Sequence, residues 1–206
     1  YDAYGGVQET TRSLPLLNAT DYAALTNEAY VSNGAMAYYS NVGSLGRGTD
    51  WQDAVFSQAF TSNQSIGLSG GSDNATYSGG LSAFTQDGIV GKDKSGFQRY
   101  NARFNYTVDL RLPDGTPTNM TFKMNMLYSK TNRKTLPEGG IGSVLFNAVN
   151  MAPTYTLRDG SGAFTRAENM PIEVINPLWQ IDATQNKVVA DRVSGVFGLN
   201  YKFWSD

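Results

Sequence analysis

The stretch Phe97-Gln98-Arg99-Tyr100-Asn101-Ala102-Arg103-Phe104-Asn105-Tyr106-Thr107-Val108-Asp109-Leu110 decides how this 206-residue chain folds. On one parity lie Gln98, Tyr100, Ala102, Phe104, Tyr106, Val108 and Leu110, and six of these seven are apolar or aromatic. On the other lie Phe97, Arg99, Asn101, Arg103, Asn105, Thr107 and Asp109, polar at six of seven. Successive side chains of a strand point to opposite faces, so this pattern reads as a strand with one apolar face.

The alternation recurs in Met120, Phe122, Met124, Met126 and Tyr128 against Thr121, Lys123, Asn125 and Ser129, with Leu127 the exception. It recurs in Val193, Phe197, Leu199, Tyr201 and Phe203 against Ser194, Asn200 and Lys202, and more weakly through Tyr77, Leu81, Ala83 and through Ile66, Leu68. The opening stretch, Tyr1, Ala3, Gly5 and Val7 against Asp2 and Gln8, is a further candidate. The expectation is an all-β, antiparallel up-and-down meander of about six strands, near 1–10, 64–70, 75–86, 97–110, 119–130 and 191–204.

The connections alternate in length. Gly71-Ser72-Asp73-Asn74 and the segment around Pro113-Asp114-Gly115 have tight-turn composition, whereas 11–63 and 131–190 are long. Short turns at one end and long loops at the other are the rhythm of a transmembrane β-barrel. A soluble β-sandwich would show the same face alternation. Loop length favours the barrel, and so does strand length: fourteen residues tilted by roughly 40° rise about 35 Å, a bilayer core with its interfaces. Arg99, Asn101, Arg103, Asn105 and Lys123 then face an aqueous lumen, and tyrosines and phenylalanines near the ends of the outward rows sit where an aromatic girdle belongs.

Composition closes other classes. There is no Cys and no His, so thiol nucleophiles, Ser-His-Asp triads, imidazole or thiolate metal sites and disulfides are excluded. Sixteen Lys and Arg scattered against eighteen Asp and Glu give none of the basic stripe that nucleic-acid partners require. Acid pairs such as Asp50 with Asp53 or Glu168 with Glu173 carry no glycosidase motif, so neither a catalytic site nor a cofactor is expected.

Within the first long loop, Leu16 to Tyr30 reads as a helix capped by Asn18, with Asp21 in its first turn and Tyr22, Leu25 and Ala29 on one face. Thr49 or Asp50 caps a second short helix in Gly48 to Phe56, a segment that also reads as a packed anchor for the loop. In the last loop, Pro and Gly punctuate the stretch from Ile141 through Asn176-Pro177-Leu178-Trp179 into ordered pieces. Tyr38, Tyr39, Trp51, Tyr155 and Trp179 are loop aromatics suited to stacking on sugar rings or peptide side chains, and equally suited to forming a loop core.

Several strings, taken in order, resemble the SusC/RagA-type TonB-dependent transporters of the Bacteroidota outer membrane. They are Tyr4-Gly5-Gly6-Val7-Gln8, Leu16 to Leu25, Gly48 to Phe56, Leu68-Ser69-Gly70-Gly71-Ser72 with Ala75-Thr76-Tyr77, Gln86 to Val90, Phe97 to Asn105, and Asn176-Pro177-Leu178. The resemblance implies the first six strands of a large barrel, of the size class of about 22 strands with a plugged lumen, starting just after the N-terminal plug. It implies import of oligosaccharides or peptides, a SusD-like surface lipoprotein closing over the loops, and TonB acting through the plug, which these residues lack. A soluble or surface-attached carbohydrate-binding β-domain is the alternative from another class, and a non-transporting porin or adhesin would keep the barrel and change its use.

Overall fold

The computed structural model describes residues 2–10 and 13–203. Tyr1, Thr11 and Trp204, which the expected first strand, first long loop and last strand include, lie outside the described residues. Six strands form one antiparallel sheet in the order β1-β2-β3-β4-β5-β6. They are β1 (Asp2–Gln8), β2 (Ala59–Ser72), β3 (Ala75–Asp87), β4 (Gly96–Arg111), β5 (Pro117–Lys134) and β6 (Lys187–Tyr201), and every neighbour pairs with the next. The expected antiparallel meander of six strands is the fold observed.

Tight turns close one end. Asp73-Asn74 joins β2 to β3, with the Ser72 hydroxyl on the Asn74 side chain. Between β4 and β5 the Gly115 N–H donates to Leu112 O, and Gly115 sits at φ 86°, a left-handed conformation that glycine adopts without Cβ strain. The Asp114 carboxylate accepts from Thr116 N at 2.9 Å and fixes the turn. A register shift between Asp109 and Arg111 ends the regular pairing just before it.

Three strands run further toward the loop end than the alternation predicts. β2 begins at Ala59 and not near 64, β5 continues to Lys134, and β6 starts at Lys187. The reason lies in the outward row of β4. Leu110, Val108, Tyr106, Phe104, Ala102 and Tyr100 are followed by Gln98, and their cross-strand neighbours turn polar too, at Gln64, Thr85, Lys130 and Asn132. Leu110 to Tyr100 is eleven residues, about 28 Å of height at a barrel tilt, close to the apolar band of an outer-membrane barrel. Above it the ladder continues while the face alternation, which was the sequence signal, is gone.

Register places Arg99, Asn101, Arg103, Asn105 and Lys123 on the face opposite that row. The apolar face finds no protein to pack on among the described residues: Val193 is 71% and Phe197 64% exposed. The hydrophobic core lies elsewhere, in the two long connections. Trp51, Val55, Leu136, Val144, Ala148, Met151 and Val174 make it, and none of these is a strand residue. Those connections carry α1 (Ala19–Ser32) and α2 (Trp51–Val55) in the first, and α3 (Val144–Asn150) and α4 (Pro177–Ala183) in the second.

Asn18 caps α1 by accepting from Asp21 N, as its sequence predicts. The packed face differs from the expected Tyr22, Leu25 and Ala29: Ala19 and Ala23 are buried, while Leu25 is exposed. Close approach decides this. A Cβ on Gly48 would lie 2.4 Å from the Ala19 Cβ and 2.3 Å from Pro153 O, so the helix start docks where only small residues fit.

Two outcomes follow for the full-length protein. Phe104→Arg, on the apolar face, should cost about 2–4 kcal/mol and Asn105→Arg close to nothing, read by denaturant titration of folding into vesicles. Trp51→Ala should cost the loop core about 3–5 kcal/mol, read as faster amide exchange in 135–186 with the strand amides unchanged.

Candidate functional site

The two long connections knit into one cap over the loop end of the sheet. Asp50, and not Thr49, caps α2, accepting from Gln52 N and Asp53 N at 3.0 Å each. This frees the Thr49 hydroxyl to donate to Tyr155 O at 2.6 Å, and Thr49 N donates to Pro153 O. Gln52 pairs with the Leu14 backbone on both sides, accepting from Leu14 N at 2.8 Å and donating to Leu14 O at 2.9 Å. Each bond ties the first connection either to itself or to the second.

In the second connection a buried amide network sets the geometry. Asn147 is fully buried and donates to the Gln180 side chain at 2.7 Å, while its oxygen accepts from Ile175 N. Gln180 donates onward to Gly142 O at 2.6 Å. Asn176 caps α4 through Leu178 N and Trp179 N and donates to Leu157 O and Thr165 O. Buried amides with every partner present hold α3, α4 and the Leu157–Thr165 hairpin in one arrangement. Asp159 organises the tip of that hairpin: its carboxylate takes the Ser161 hydroxyl and N–H and the Ala163 N–H, bonds that hold it below the usual carboxylate range.

On this frame the loop aromatics fall into three groups. Tyr38, Tyr39 and Tyr155 come together. The Tyr38 and Tyr39 rings stack edge to face at 4.8 Å, the Tyr39 hydroxyl meets Thr154 at 3.1 Å, and Asn169 donates to both the Tyr38 and the Tyr155 oxygens. Tyr30 joins at 5.4 Å from Tyr38, and Tyr22 lies below. Burial first, then Tyr39 and Tyr155, pushes the Tyr22 phenol above its ordinary value; desolvation and then Tyr155 do the same at Tyr38. The cluster presents ring faces and hydroxyls. Tyr22 and Tyr30 entered the sequence reading only as helix residues, because nothing in spacing alone brings α1 beside Tyr155.

Trp179 stands apart, 49% exposed, in a groove of about 850 Å³ with Phe164, Met170, Ile172 and Ile175. Ile172 carries no periodic signal and was legible only as loop. Trp51 is 3% exposed, packs in the loop core and donates its indole N–H to Ala152 O at 3.0 Å, so it acts chiefly as the anchor of the loop, with an edge on the cleft between the connections. A second cleft, about 650 Å³, opens between the connections, where Arg47, Asp50, Tyr22 and Asn150 supply polar groups.

Beneath the cap, the polar face of the sheet is cationic. Within the regular register it carries Arg99, Arg103, Lys123, Arg133 and Arg192 against Asp2 and Asp109. Arg99 lies over the Phe84 ring at 5.8 Å, and a hollow at Gly67 and Gly80 sits beside Arg99 and Arg103. Cross-strand side-chain bonds, Asn101 to Ser82 and Asn105 to Ser78, line the rows between.

No family model matches the chain. It is 26% identical to TonB-dependent receptor P26 of Formosa agariphila over 96% of its length, and 24% identical to TonB-dependent receptor P3 of the same organism over 96%. It spans only about a fifth of these relatives, 19% and 18% of their lengths. Among solved structures it matches the RagAB peptide transporter with a TM-score of 0.60, at 19% identity, over 86% of this chain and 23% of that one. The RagAB peptide importer in its open-open state matches with a TM-score of 0.56 over the same shares. The ordered strings of the sequence, the six-stranded meander and both comparisons converge: the chain is similar in sequence to TonB-dependent receptors and shares its fold with a barrel segment of the RagAB transporter.

Proposed function

We propose that the whole protein is an outer-membrane importer of oligosaccharides or peptides, in which this segment supplies part of the barrel wall and part of the extracellular cap. The observation that carries the reading is the sheet's large apolar face, exposed from Leu68 and Leu81 across to Val193, Phe197 and Leu199, with its core sited in the loops. A soluble carbohydrate-binding β-domain would bury such a face against a second sheet. Hydrocarbon is the surrounding that suits it.

Cargo would meet the tyrosine cluster and the Trp179 groove first, then the cationic inward rows. Tyr38, Tyr39, Tyr155 and Trp179 are contact residues in this reading, and Arg99, Asn101, Arg103, Asn105 and Lys123 line the lumen. A SusD-like surface lipoprotein closing on the cap, and TonB acting through a plug outside these residues, complete the proposed assembly. The relatives' names and the RagAB peptide transporter support the class of machine.

Nitroxide labels at Tyr100, Phe104 and Val108 of the full-length protein in membranes should be quenched by oxygen and hardly by aqueous nickel reagents. Labels at Asn101 and Asn105 should behave in the opposite way; equal shielding of the first row from both quenchers overturns the membrane reading. Trp179→Ala in the intact transporter should lower cargo affinity about ten-fold while leaving the amount in the outer membrane unchanged.

A further inference from the structure

The outward face does not end at its apolar band. One outward position beyond Tyr128 is Lys130, and two further positions on is Lys134. Lys134 stands directly opposite Lys187 across the β5–β6 ladder, and all three lysines are exposed. Two like charges in directly opposed positions repel, and an anion between them relieves that repulsion. The acids on the same face are few. Asp191, opposite Lys130, accepts the Tyr128 hydroxyl at 2.5 Å, and Asp87 lies in the row of Lys134 but two strand spacings away across Gly96, about 10 Å, too far for an ion pair. Lys134 also donates to the Asp93 backbone carbonyl at 3.0 Å, a neutral partner that leaves its charge uncompensated.

We propose that this lysine ladder docks the phosphorylated saccharide headgroup of an outer-leaflet lipid, whose acyl chains lie along the apolar rows below. The assignment rests on the membrane reading above for its orientation, with the long connections outside the cell. Height selects the ligand. From Tyr128 to Lys134 is six residues, about 15 Å at a barrel tilt, whereas the headgroup layer of an ordinary phospholipid is roughly 5–8 Å deep. Lys130 reaches a phospholipid phosphate; the Lys134 and Lys187 pair stands above it. A headgroup built of sugars that bear phosphates at two depths meets both levels. Tyr128, held by Asp191 at the boundary, marks where chains give way to headgroup.

The test uses the full-length protein in detergent, with bound lipid read by native mass spectrometry. The probes are bisphosphorylated lipid A, its dephosphorylated form, and phosphatidylglycerol. Wild-type protein should retain bisphosphorylated lipid A at least about ten-fold better than the dephosphorylated form. The triple variant Lys130→Gln, Lys134→Gln, Lys187→Gln should lose that preference, and Lys202→Gln, at the turn end, should keep it. Comparing lipids on unaltered protein keeps the result independent of whether the variant folds. Equal retention of the two lipid A forms by wild type overturns the proposal. So does lysine-dependent retention of phosphatidylglycerol to the same degree, or loss of a bound protein partner from the triple variant with lipid unchanged. Wild-type protein absent from the outer membrane would overturn the transporter reading itself; protein embedded there without phosphate preference overturns this inference alone.

Discussion

Backbone pairing across a face that has nothing to pack against is the constraint on which the rest depends. In β4 and β5 the outward residues, from Tyr100 and Phe104 to Met124 and Met126, meet no other element. In hydrocarbon no water is available for an amide, and an unpaired N–H or C=O costs several kcal/mol. Each strand from β2 to β5 solves this by pairing on both sides. The outer edges of β1 and β6 have no partner among the described residues, and in the proposed barrel neighbouring strands would pair with them. In that reading the stability of these six strands is a property of the closed barrel.

The cap obeys a different physics. Its connections leave the apolar band and enter water, so they need a core of their own, and Trp51, Val144, Ala148 and Met151 provide one. The buried Asn147–Gln180 pair and the Asn176 cap then select one arrangement of that core. Such rigidity holds the tyrosine cluster and the Trp179 groove on one scaffold, linked through Glu168, Asn169 and Met170. Wall and cap meet at Leu136 and at the Phe56–Val90 bridge, where the base of each long connection turns inward from the sheet.

Where sequence reading succeeded and where it failed follows from this division. Parity in Phe97 to Leu110 was readable because two unlike surroundings on the two sides of a strand, lipid and water in the proposed setting, imprint a period of two on its residues. The signal vanishes at 59–63 and at 131–134, where the two faces of the strand no longer differ in polarity, although the ladder continues. Capping was readable at Asn18, where side chain and acceptor lie three residues apart. The docked face of α1 was not, since the close contact of Ala19 with Gly48 and Pro153 joins segments far apart in the chain.

The amino-acid sequence by itself determined which residues face together along each strand and which serve as turns and caps, because those choices depend on neighbours within a few positions. Tertiary structure alone decided that Trp51 is spent on the loop core, that Tyr22 and Tyr30 join Tyr38 and Tyr155, and that Lys134 stands against Lys187. Register between β5 and β6 spans a connection of more than fifty residues, 135–186, and no local propensity carries information across such a distance.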